Sequence, residues 1–119
     1  MDVVSLTGLA EDLLSQAREA HSGRAAATLH PVVGGRLRQT VIALRAGAAL
    51  ADHESPAGEA TLQVVTGSVA LTWSGDRLDL GAGDVAPIPP QRHGLAAAED
   101  SVVLLTVALA DEAVRRPGS

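Results

Sequence analysis

The sequence predicts one all-β domain, a barrel or double-sheet jelly roll, preceded by a single helix. Three observations point there. Apolar residues recur at three- and four-residue steps only once, close to the N-terminus. From Ala25 onward, short apolar stretches follow one another at regular spacing with Gly, Asp and Pro turns between them. The chain of 119 residues has room for one core and no more.

The helix is expected over 5–22. Ser5 can cap its start, and Leu6, Leu9, Leu13, Ala17 and Ala20 form one apolar face. Glu11 and Asp12 near the start and Arg18 near the end suit the helix dipole, and Gly23 closes it. So short a helix must dock its leucine face on something. Strands are expected over 25–31 and 37–45, with Gly34-Gly35 between, and over 59–65 and 68–73, with Thr66-Gly67 at a bend. Ser74-Gly75-Asp76 makes a tight hairpin turn into 77–80. Gly81 to Asp84 is another turn, 84–88 a strand, and Pro89-Pro90 its end, because no central strand tolerates that pair. Strands over 93–98 and 101–110 flank the Glu99-Asp100 turn. The barrel thus occupies 25–110 of a single domain spanning 1–119, and the polar tail 111–119 is expected to fray.

Composition removes several functions. Cysteine is absent, which excludes disulfides, zinc ribbons and thiol nucleophiles. The net charge is −5, every basic residue is a scattered Arg, and Trp73 is the only aromatic residue. Neither a phosphate-binding face nor a base-stacking platform can be built from these, so no nucleic-acid partner is expected. No apolar run approaches the roughly 18 residues of a membrane span. The N-terminus has no basic segment leading into an apolar one, and a cytoplasmic location without membrane contact is expected. A core of Leu, Val and Ala is built from small side chains, which can leave a barrel hollow.

Two of the four histidines sit in turn-rich patterns of definite shape. The first runs from Gly47 through Ala51-Asp52-His53-Glu54-Ser55-Pro56 to Glu59 and Gly67; the second runs from Gly83-Asp84 through Pro87-Ile88-Pro89-Pro90 to His93. These resemble the two motifs of the cupin superfamily. The first motif is a Gly followed by His-x-His, a Glu and a closing Gly; the second is a Gly, a Pro-x-Gly turn, a His and an Asn. Gly47, His53 and Gly67 match the first in spacing. Gly83, Pro89-Pro90 and His93 match the second, with one residue fewer before the His. The chain is most similar to the small one-domain cupins of high-GC bacteria that carry an extra N-terminal helix. The resemblance implies a cupin-type jelly-roll β-barrel with the helix packed outside, and a homodimer formed through exposed strand edges, the first two strands foremost.

The resemblance also implies where a site would lie. In metal cupins three His and a Glu converge inside the barrel on Fe, Mn, Zn, Ni or Cu. Here Ser55 stands at the second His and Ala97 at the terminal Asn. The Glu position falls on Ala60 counted back from Gly67 and on Glu59 counted forward from Ser55. Strand parity separates these alternatives, since a one-residue offset turns a side chain to the other face. In register with Gly67, Ala60, Leu62 and Val64 face inward with His53, Ser55 and His93, and the pocket is aliphatic with two imidazoles. With a bulge, Glu59 and Gln63 line it, and His53, His93 and Glu59 form a two-His-one-carboxylate set that suits a divalent transition metal. Three functions follow. One is a binder of a small organic ligand without a tightly held metal, since two His alone bind metals weakly. Another is an enzyme, either a metal-dependent oxygenase, isomerase or cyclase, or a metal-free one using a His as general base. The third is an inert dimer with a filled barrel.

The remaining residues read plainly. His21 after the helix and His30 before Pro31 are structural. Trp73 packs or lies at an interface, with ligand stacking as the alternative. Arg36, Arg38 and Arg45 form a solvated or interface face. Asp84 is a turn residue, and Asp52 and Glu54 flank His53 on the outer face. No phosphate loop opens a helix, and Ser55 has no triad partners in the sequence pattern.

Overall fold

The computed structural model describes residues 3–29, 34–53, 58–89 and 92–109; the side chains at 52 and 53 fall outside that description. Helix α1 spans Leu6–Glu19. Ser5 has extended backbone, and its Oγ accepts a hydrogen bond from the Gly8 amide at 3.1 Å. That satisfies one of the amides a first helical turn leaves unpaired. The helix stops short of the expected residue 22. Ala20 turns to extended backbone while its amide still donates to the Gln16 carbonyl at 2.9 Å. The Gly23 amide then reaches back to the Ala20 carbonyl at 3.0 Å, making a turn instead of a further helical step. Gly23, at φ +73°, lets the chain pass Arg45, whose amide donates to the Gly23 carbonyl at 2.8 Å.

Nine strands follow among the described residues: β1 Arg24–Leu29, β2 Leu37–Leu44, β3 Ala49–His53, β4 Gly58–Thr66, β5 Ser68–Trp73, β6 Asp76–Gly81, β7 Val85–Pro87, β8 His93–Ala97 and β9 Ser101–Leu109. β3 is the strand that the sequence pattern does not announce. Its Ala-Leu-Ala-Asp-His run lacks the β-branched and aromatic residues that mark strands. His30, Pro31, Pro90 and the tail from residue 110 lie outside the described residues.

The strands form two antiparallel sheets, β1-β2-β9-β4-β7 and β3-β8-β5-β6. Alternation on the three central strands of the larger sheet sends residues to two different cores. Leu44, Leu62, Val64 and Val103 point into the barrel, where Val69, Leu71, Leu80, Leu95 and Ala97 of the other sheet meet them. Val41, Ala43 and Val102 point outward and are covered by Ala10, Leu13 and Ala17 of α1. The helix is therefore packed outside the barrel, as expected, and the leucine face does the docking.

Polar contacts fasten the helix where it ends. The Arg18 Nε donates to Asp100 Oδ2 at 2.7 Å, and Asp100 Oδ1 accepts from the Ala46 amide at 2.8 Å. Arg45 is not part of a solvated face: its guanidinium donates to the carbonyls of Arg18 at 3.1 Å and Ala20 at 3.5 Å. A cation on the last carbonyls of a helix satisfies orphan acceptors and complements the dipole. Arg36 and Arg38 are exposed. The β5–β6 hairpin turns on Ser74 and Gly75 alone, at φ 46° and 81°, the two positive angles of a type I′ turn.

Gly67, at φ +92° between β4 and β5, sits against Ser101. A Cβ there would overlap Ser101 Oγ and the Asp100 carbonyl. Ser101 is fully buried, accepts from the Ser68 amide at 2.9 Å and donates to the Glu99 carbonyl at 2.7 Å, so it cannot move aside. Gly67→Ala therefore combines a left-handed strain with a steric clash. A loss of about 2–4 kcal/mol in urea unfolding is expected. Asp100 has its pKa lowered from 3.8, first by the Ala46 amide and then by Arg18. The native state thus holds the carboxylate ionised where the unfolded chain begins to protonate it. Its contribution is present above pH 3.8 and is lost as pH falls through the lower folded value. The unfolding midpoint of Asp100→Asn should depend less steeply on pH below about 4 than that of the natural chain.

Candidate functional site

The barrel is filled at one end and hollow at the other. At the filled end Leu44, Val64, Val69, Leu80, Ala97 and Val103 close on one another. Toward the other end Ile42, Leu50, Leu62, Leu71, Ile88, His93, Leu95 and Leu105 surround a cavity of about 110 Å³. These positions follow from the pleat. Leu62 stands opposite Leu105, and Leu71 opposite Leu95, so the walls come from paired residues. Ile88, just past β7, is held in place because its amide donates to the Ala60 carbonyl at 2.9 Å.

His93 is the one polar side chain among these wall residues and is 4% exposed. Its strand places it between two others: Trp73 of β5 is its register partner on one side and His53 of β3 on the other. The two histidine positions, distant in sequence, are thus adjacent in the sheet. Trp73 is half-buried, packs on the barrel core and, with Leu78, Pro87, Ile88 and Pro89, lines an outer groove. The turns that set up both motifs use glycines at positive φ, Gly47 at 86° and Gly83 at 90°. Asp84 is the expected turn residue: its Oδ2 accepts from the Gly81 amide at 2.8 Å.

The expected pocket residues divide. Leu62 and His93 line the cavity. Val64 points inward but belongs to the filled end, and Ala60 is half-buried without lining the cavity. Ser55 and the side chain of His53 lie outside the described residues. Glu59 and Gln63 are corrected: both are exposed. Register between β4 and β9 runs without interruption from Gly58 opposite Leu109 to Val64 opposite Val103, and the bulge falls between Val64 and Thr66. A bulge there comes too late to turn Glu59 or Gln63 inward. Ile42, Leu50, Leu71, Ile88, Leu95 and Leu105 complete the wall. Period-two alternation along β2, β5, β8 and β9 is the signal that reveals most of them.

This parity removes Glu59 from the inner donor set. With Glu59 on the outer face, no group of three His, Asp or Glu able to hold a metal occurs among the described residues. Serine and alanine occupy two of the four ligand positions that the motif implies. The residues present do not make up the three-His-one-Glu set.

No protein-family model matches the sequence, and no curated protein is significantly similar to it. Solved structures are similar in fold. A cupin 2 conserved barrel domain protein from Salinispora arenicola superposes with a TM-score of 0.69 at 20% identity, covering 96% of this chain and 92% of that one. A conserved protein of unknown function from Streptococcus pyogenes gives 0.67 at 25% identity, over 77% and 79% of the two chains. A salicylate 1,2-dioxygenase from Pseudaminobacter salicylatoxidans gives 0.69 at 21% identity, over 85% of this chain and 33% of that one. The chain has the cupin barrel fold, with one N-terminal helix added. No helix among the described residues is long and apolar enough to cross a membrane.

The two ends of the barrel should respond differently to truncation. Leu44→Ala opens a new void in the filled end and should cost about 2–5 kcal/mol. Leu50→Ala enlarges a void already present and loses fewer contacts, so it should cost about 1–2 kcal/mol. Urea unfolding of the two variants reads the difference.

Proposed function

We propose that the protein binds a small, largely apolar organic molecule inside the barrel, with His93 making the polar contact and without a tightly held metal. The observation that supports this is the cavity itself, seven aliphatic walls and one buried imidazole. An apolar wall with a single polar group is the usual form of a small-molecule pocket. Imidazole can donate or accept a hydrogen bond, so a hydroxyl, carbonyl or carboxylate would each be received. A cytoplasmic homodimer paired through the edge strand β1 completes the reading. Its exposed residues Arg24, Ala26 and Thr28 leave that edge open to a second chain.

The register of His53 against His93 favours a second reading, a metal-dependent enzyme. Two imidazoles on neighbouring strands are the start of a transition-metal site, and oxidation of a small aromatic, as the dioxygenase's name states for that protein, is its nearest chemistry. Completing it requires donors beyond the described residues.

Thermal unfolding with propan-2-ol separates these outcomes. At ten times its dissociation constant, a ligand bound only by the native state stabilises by about 1.4 kcal/mol. A rise in Tm of several degrees is expected, and Leu50→Phe, which fills the void, should abolish it. Elemental analysis of untagged protein supplies the opposing result. Near-stoichiometric transition metal that disappears in His93→Ala would replace the first reading with the second.

A further inference from the structure

The inner cavity is small for a binding site. At about 110 Å³ it is smaller than the roughly 150 Å³ void that accepts a benzene ring. Pockets for ordinary metabolites occupy about 300–1,000 Å³. A second concavity lies next to it. Trp73, Leu78, Pro87, Ile88 and Pro89 form an outer groove of about 400 Å³, and Ile88 lines both spaces. His93 of the cavity and Trp73 of the groove are register partners at one end of the central strand pair β5–β8, so the two spaces adjoin there as well as at Ile88. Together they reach the size that the cavity alone lacks. The groove also has the right chemistry to continue the cavity, since its walls are one indole, two prolines and two aliphatic side chains. Leu78 is 40% exposed although it is a large apolar residue, and this is the surface it presents.

Resting on the proposed ligand-binding role, we propose that cavity and groove form one channel with Ile88 between its two chambers. The ligand is then an elongated, mostly apolar molecule. Its inner part is enclosed by the leucines of the barrel, its outer part lies over Trp73, and a hydrogen-bonding group sits beside His93 where the chambers meet. A compact ligand confined to the barrel is the outcome opposed to this.

Linear alkan-1-ols of increasing length test the channel. Each methylene removed from water strengthens binding about fourfold. In a closed cavity of this size the gain stops at about three carbons, since about 150 Å³ is needed for the six heavy atoms of benzene. In a channel it continues beyond that length. Trp73, the only tryptophan in a chain without tyrosine or phenylalanine, reports on the groove by its fluorescence. Its emission should shift for the longer alcohols and not for the shorter ones. Leu78→Lys places a charge in the groove at an exposed site and should flatten the length dependence beyond about three carbons. Ile88→Ala widens the passage and should strengthen the longer alcohols several-fold. A plateau at short chains with unmoved Trp73 emission overturns the channel while leaving the interior binding role intact. Failure of every alcohol, propan-2-ol included, overturns both. An unchanged length dependence in Leu78→Lys also overturns the channel.

Discussion

Strand parity on β2, β4 and β9 is the constraint on which the rest depends. β9 is the hub of the larger sheet, paired with β2 along one side and β4 along the other. Where α1 crosses them, at the end of β2 and the start of β9, both faces are dry. One looks into the barrel and the other lies under α1, so consecutive residues such as Val102 and Val103 are both fully buried in different cores. A slip of one residue would exchange the two sets and drive side chains shaped for the helix into the barrel. The helix is therefore part of what sets the register of the site, although it contributes nothing to the cavity wall. The Arg18–Asp100–Ala46 contacts and the Arg45 cap fasten it at the corner where β2 ends and β9 begins.

The hollow follows from the choice of side chains. Two facing sheets lie about 10 Å apart, and aromatic residues are the usual way to span that gap. This chain has only Trp73, and it stands at the open end. At the filled end valines, leucines and Ala97 suffice to fill the space. At the other end leucine and isoleucine leave about 110 Å³. An empty apolar volume forfeits dispersion contacts that a well-packed core would make. In a domain of this size that is a real cost, and it is localised beside His93, the one buried histidine among the described residues.

Much of this was legible in the residues, and the exceptions have physical causes. The helix cap at Ser5, the Ser74-Gly75 turn and the Asp84 turn all rest on local stereochemistry, which short-range sequence encodes. β3 was not legible, because Ala49 to His53 is a strand by virtue of its pairing with β8 and not by propensity. The helix end was misplaced because Gly23 serves a tertiary approach to Arg45 instead of closing the helix. Arg45 itself looked like one more surface cation, and only its contact with the helix carbonyls distinguishes it. The two candidate positions for a carboxylate, at 59 and 60, differ by a single residue. Only the uninterrupted β4–β9 register tells them apart.

A single imidazole in an apolar enclosure has a definite consequence for selectivity. Aliphatic walls discriminate weakly, since one methylene more or less changes binding by only about 1–3 kcal/mol. His93 already has an interaction within the protein, so under the proposed role a ligand's polar group adds to that contact or replaces it. The outward turn of Glu59 bears on more than the donor set. With Glu59 turned to solvent, the cavity has no described acid to repel an anion or to hold a cation beside His93. Under the proposed binding role, its preference would follow hydrogen bonding and shape. The fold alone does not decide this, since one barrel can host many chemistries. The outcome rests on which face of β4 position 59 occupies, and β9 determines that face through its hydrogen bonds.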